Sequence, residues 1–214
     1  MRRLLSGLVA GLALMGLPSA ARAEAFDFYV LALSWSPSYC ASQGTNANRQ
    51  QCGASRPYSF VVHGLWPQRE RGYPQDCPTG EPRVPRELAR TLFDLMPSTG
   101  LIGAQWRKHG SCSGLSQTDY FRLLRQAREK VRVPNEFSAP RETRVIAPAQ
   151  VETRFIQSNP GLKPDAVAVV CDGPYLGEVR ICMTKDLAFR ACPEVDRRAC
   201  KRGSAQMPPL GNGR

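Results

Sequence analysis

The chain has 214 residues, a formal net charge of +11, and eight cysteines against only two histidines. That length holds one domain with a substantial core, and no internal repeat or linker divides it. Without a Cys-x-x-Cys pair, and with both histidines apart from any cysteine cluster, a zinc site is disfavoured, while the excess positive charge points to a polyanion as partner.

At the start, Arg2 and Arg3 precede an apolar run from Leu4 to Leu17, and Ala21-Arg22-Ala23 has the small-x-small form of a processing site. The pattern predicts a secretory signal over 1–23, too short for a membrane span. Its removal leaves 191 of the 214 residues and takes Arg2, Arg3 and Arg22 from the net charge of +11, leaving +8. All eight cysteines lie in the remainder, which implies disulfides made in an oxidising compartment. Sequence alone leaves the pairing open among 105 possibilities.

Residues 26–35 are continuously apolar and aromatic and read as a buried strand. Residues 36–57 are polar and read as a loop, and 58–63 as a second strand ending at Gly64. A surface loop rich in Pro, Gly and charge follows over 69–84. Helices are expected over 85–96, stopped by Pro97, and over 101–109, capped by Ser98 or Thr99. A third, capped by Thr118, spans 119–131 with Tyr120, Leu124, Ala127 and Val131 on one stripe. A fourth starts at Pro148, with Val151, Phe155 and Ile156 inward. Residues 166–171 form an apolar strand. Residues 178–184 alternate, with Val179, Ile181 and Met183 on one face and Arg180, Cys182 and Thr184 on the other. Residues 202–214 carry no periodicity and are expected to be a mobile tail. Irregular interleaving of strands and helices, without regular strand–helix alternation, predicts a single α+β domain.

Both histidines precede glycine in dense local patterns, Val61-Val62-His63-Gly64-Leu65-Trp66-Pro67 and Gln105-Trp106-Arg107-Lys108-His109-Gly110-Ser111-Cys112. Imidazole both gives and takes protons near neutrality, and a lysine beside the second adds a cation. On a helix, Gln105, Lys108 and His109 share a face, because residues three and four apart are neighbours. Such a set suits metal-free cleavage of RNA: one group deprotonates a ribose 2′-hydroxyl, another protonates the leaving oxygen, and a cation steadies the phosphate.

These two segments resemble the active-site segments of the ribonuclease T2 family, and the likeness runs from about Phe26 to Cys200. The resemblance implies that His109 is the general base, His63 the general acid, and Lys108 the stabiliser of charge on the phosphorane. Trp66 falls where the family stacks a base, with Tyr73 as a second platform, Gln68 where an acid contacts a base edge, and Trp106 counted with them. It implies disulfides Cys40–Cys52, Cys77–Cys112, Cys171–Cys200 and Cys182–Cys192. It also implies a T2-like domain over 24–201, a central antiparallel sheet with flanking helices, acting on RNA with low base specificity and without metal or cofactor. The signal segment makes a secreted or periplasmic protein the expectation, a monomer with no stable membrane association.

The chain departs from the family pattern at Ala104 and Gln105, where the family has His and Glu. An amide keeps the shape of the acid and donates a hydrogen bond, but it neither ionises nor favours an imidazolium on His109, whose pKa is expected to lie lower. Reduced turnover or a shifted pH optimum is expected. A competing reading is a catalytically weakened RNA- or polyanion-binding relative.

Overall fold

The computed structural model describes residues 25–211 apart from 54 and 56, so the expected signal over 1–23 lies outside the described residues. The order of elements is β1 (Phe28–Trp35), α1 (Ser36–Gln43), α2 (Arg49–Cys52), β2 (Phe60–Gln68), α3 (Arg86–Arg90), α4 (Thr99–Lys108), α5 (Gln117–Glu129), β3 (Arg144–Ile146), α6 (Pro148–Ser158), β4 (Val167–Asp172), β5 (Tyr175–Met183), α7 (Pro193–Arg197) and β6 (Ala205–Met207). Strands lie in the order β2-β1-β5-β6-β3, with β4 also paired to β5. Every pairing is antiparallel except the single bridge between β5 and β6. The fold is therefore α+β, with helices flanking a largely antiparallel sheet.

Both faces of β1 are covered, which is why its sequence is apolar at every position but Ser34. Tyr29, Leu31, Leu33 and Trp35 face the main core, where Tyr120 and Leu124 of α5 and Val151 and Phe155 of α6 pack. Phe28, Val30 and Ala32 face a smaller cluster with Trp66, Cys182 and Cys192. Four disulfides staple the periphery with the pairing the resemblance implies: Cys40–Cys52, Cys77–Cys112, Cys171–Cys200 and Cys182–Cys192.

Several expectations need correction. Residues 36–57 are not all loop: Pro37 sits in the first turn of α1, where its missing N–H is harmless, and Asn48 caps α2 by accepting from the Gln50 amide. Strand β2 does not stop at Gly64 but runs to Gln68 through Pro67, tolerated because β2 is an edge strand. Ser116, not Thr118, caps α5. The expected helix over 85–96 keeps α-geometry only over Arg86–Arg90 and continues as turns.

The tail expected to be mobile is tied down over 205–208. Strand β6 pairs with β3, Ala205 and Met207 are buried, and the Trp35 indole N–H donates to the Pro208 carbonyl at 2.9 Å. A strand of three residues is too short to leave a period in the sequence.

Candidate active site

Strand β2 carries an irregularity that creates the site. Against β1, Ala32 pairs with Gly64 and Leu33 with Val62, so His63 is the extra residue of a β-bulge. In a regular strand, residues three apart lie on opposite faces. The bulge cancels one step, and Trp66 joins His63 on the face away from the main core, with ring centroids 5.4 Å apart.

The second half of the site is the end of α4. Ser98 caps the helix by accepting from the Leu101 amide, and His109 closes it with φ −126° and ψ −50°. A 3₁₀ turn over Gly110–Ser113 follows and leads to the Cys77–Cys112 bridge, while the Asp76 amide donates to the Lys108 carbonyl at 2.8 Å. Both ends of this segment are thereby pinned. Gly110 is required by close packing: a Cβ there would stand 2.6 Å from the Trp106 ring and 2.8 Å from that of Tyr120.

The two halves meet at Trp66. Its indole N–H donates to Gln105 Oε1 at 2.7 Å, and its ring centroid lies 5.2 Å from that of His109. Gly64 leaves the space for this bond, since a Cβ would come within 2.3 Å of Trp66 Nε1 and 2.4 Å of Gln105 Oε1. Both histidines, Trp66, Gln105 and Lys108 line one cleft of about 260 Å³, with Gln68 and Tyr73 at its wall. His63 also borders a second cleft of about 280 Å³ that holds Ser34, Tyr39 and Ala104.

The two imidazoles live in opposite surroundings. His63 Nδ1 is bonded to the Glu178 carboxylate, whose other oxygen accepts from Arg180 Nε at 2.9 Å. His109 is buried, and its Nδ1 has no hydrogen-bond partner among the described residues. Burial, then the charges of Lys108 and His63, push the His109 pKa down to about 4. Burial pushes Glu178 up, but the hydrogen bond and charge of His63, together with Arg180, outweigh it and hold the carboxyl at about 2. Two imidazoles so differently placed, one buried and unpaired and one bonded to a carboxylate, can divide the roles of base and acid.

Of the residues singled out in the sequence, His63, His109, Lys108, Gln105, Trp66, Gln68 and Tyr73 all face this cleft. Trp106 does not, and its place among substrate-binding residues is corrected. It is 2% exposed, packs on Tyr120 and Phe121, and donates its indole N–H to the Glu81 carbonyl at 2.7 Å. One residue beyond Gln105 is about 100° further round the helix, which turns it into the core. Trp66 is itself only 9% exposed, whereas Tyr73 is 40% exposed and 6.1 Å from the His109 ring. Trp66 is thus chiefly a prop between the histidines, and Tyr73 the open aromatic face. Sequence reading missed Glu178 and the role of Arg180, whose guanidinium lies 5.1 Å from the Trp66 centroid. The alternation over 178–184 held the signal, because it puts both residues on the face opposite Val179.

Among the described residues, no group of three or more His, Cys, Asp or Glu is placed to hold a metal ion, and no helix is long and apolar enough to cross a membrane.

The Ribonuclease T2 family model matches residues 26–192. A ribonuclease of Aeromonas hydrophila is 40% identical over 165 residues, which cover 75% of this chain and 73% of that protein. Ribonuclease I of Escherichia coli is 26% identical over 204 residues, covering 75% and 76%. Among solved structures, trichomaglin, described as an S-like ribonuclease, superposes with a TM-score of 0.69 at 21% identity, covering 87% of this chain and all of that one. RNase NT in complex with 5′-AMP gives 0.66 at 23% identity over the same shares, so both likenesses speak to the fold. A family match over most of the described residues, on the fold that brings both histidine segments together, makes this chain a member of the ribonuclease T2 family.

Proposed function

We propose that the protein is an exported endoribonuclease that cuts single-stranded RNA by metal-independent transesterification with low base specificity. The observation that carries this reading is the pair of histidines against one indole, one bonded to a carboxylate and the other held neutral by burial. His109 takes the proton of the ribose 2′-hydroxyl, the 2′-oxygen bonds to phosphorus, and the bond from phosphorus to the 5′-oxygen breaks. His63 gives its proton to that departing oxygen. The products are a 2′,3′-cyclic phosphate and a new 5′-hydroxyl end.

Lys108 supplies a cation to the phosphorane oxygens. With its oxygen engaged by Trp66, Gln105 has its amide N–H to donate to the same charge. Because His63 borders both clefts, the scissile linkage fits beside it with one nucleotide on each side. Tyr73 offers a sequence-tolerant stacking face worth about 1–3 kcal/mol per base. Gln68 offers an amide to a base edge. The four disulfides and the signal-like start favour an oxidising compartment outside the cytoplasm.

The test is incubation of the purified mature protein with an RNA and a DNA of the same sequence, with and without a chelator. Cleavage of RNA alone, indifferent to chelation and leaving cyclic phosphate ends, is expected. His63→Ala and His109→Ala should each lower the rate by about 100- to 10,000-fold. Gln105 and Ala104 favour a second reading, a weakened RNA-binding relative, which retained RNA affinity without cleavage would support.

A further inference from the structure

Resting on that assignment of His63 as the acid, we propose that Glu178 is its positioning residue, fixing the tautomer and orientation of the imidazole and compensating the charge it carries before proton transfer.

Sheet register sets up the contact. On β5, Glu178 lies directly opposite Ser34 of β1, and β1 separates it from β2. His63 reaches across because it is the bulged residue of β2, and Ser34 is small enough to let the two side chains meet above it. The Ser34 hydroxyl donates to the same Oε1 that His63 engages, at 3.3 Å. Arg180 takes Oε2 with Nε at 2.9 Å and Nη2 at 2.8 Å. Both carboxylate oxygens are thus spoken for, and the Glu178 side chain is 13% exposed.

With Nδ1–H donating to Glu178, the neutral His63 ring keeps its proton on Nδ1, and Nε2 is the nitrogen that gains and gives the proton toward the cleft. Arg180 holds Glu178 ionised after the proton has left, so the carboxylate does not compete for it. Its guanidinium also lies over Trp66, which ties this ion pair to the indole shared by both histidines. No carboxylate is bonded to His109 among the described residues. The acid supplied by β5 therefore serves the other histidine from the one that the family's Glu, replaced by Gln105, would adjoin.

The charged and titratable groups facing His63 are Glu178 and Arg180 from β5, and Lys108 and His109 from the end of α4. Arg69, Glu194 and Arg198 stand across the cleft, and Tyr39 on the far side. The decisive comparison is between two substrates for Glu178→Gln, the dinucleotide UpA and uridine 3′-(4-nitrophenyl phosphate). The nitrophenolate of the second leaves without needing a proton. A rate loss on the order of 100-fold on UpA, mainly in kcat, with the ester little affected, is expected. Glu178→Asp should recover part of the loss.

An unchanged UpA rate overturns the proposal, and so does an equal loss on both substrates. Nitrogen NMR of the wild-type imidazoles tests it without any variant: His63 should stay protonated at Nδ1 throughout its titration, and a neutral ring protonated at Nε2 overturns it. His63→Ala is the control for the underlying reading. If it loses the nitrophenyl ester as heavily as UpA, the acid assignment fails, whatever Glu178 does.

Discussion

At residue scale, Gln105 shows how one amide replaces an acid without disturbing the frame. Its oxygen accepts the Trp66 indole N–H at 2.7 Å, a bond a carboxylate would accept equally well. What changes is the charge beside His109. Burial, and then the charges of Lys108 and His63, push that imidazole's pKa down to about 4 with no carboxylate adjoining it to offset them, so the acid limb of kcat/KM should fall near there. Gln105→Glu places a negative charge next to the ring, favours its protonated form and raises its pKa. The acid limb should then move up by about one pH unit, narrowing the active range from the acid side. Rates on UpA between pH 3.5 and 8 check this, and a superimposable profile for the variant would remove Gln105 from any electrostatic role.

At element scale, the site depends on two fixed endpoints, the bulge in β2 and the end of α4. The latter is held by Cys77–Cys112, which closes a separation of 35 residues around α4. Chain entropy gives such a link about 3–4 kcal/mol. The pair Cys77→Ser and Cys112→Ala should lower stability by that order, seen as a drop in the urea midpoint. It should also cost activity at temperatures where the rest of the fold survives, because the Lys108–His109 turn loses its anchor. Equal urea midpoints would show the link to be dispensable. The helix face of Gln105, Lys108 and His109 is legible in the sequence because a 3.6-residue period fixes it locally. The bulge is not: whether β1 pairs so as to leave His63 unmatched is decided by a partner strand some thirty residues away. Glu178 is hidden for the same reason, its partner His63 being 115 positions distant. Trp106 misleads because adjacency in sequence is not adjacency at the site, and a one-residue step on a helix turns a side chain into the core.

At the scale of the whole molecule, His109 and Glu178, the two groups at the site with shifted pKa values, make the fold sensitive to acid. His109 has a folded pKa of about 4 against an ordinary 6.5, so between those values the unfolded chain binds more protons and stability falls as the pH drops. Glu178 titrates at about 2 in the fold against 4.5, so its contribution is complete above 4.5 and is lost as the pH falls toward 2. Each shift corresponds to on the order of 3 kcal/mol, a sizeable share of the stability of an ordinary domain. Urea midpoints should therefore show no dependence on these groups above pH 6.5, decline from there to pH 4 through His109, and steepen below pH 4.5 as Glu178 joins. His109→Asn should flatten the first part of the decline and Glu178→Gln the second, each leaving the other in place. A wild-type midpoint that stays level from pH 7 to pH 4.5 would mean that His109 is not buried as a neutral ring, and the assignment of the base would go with it.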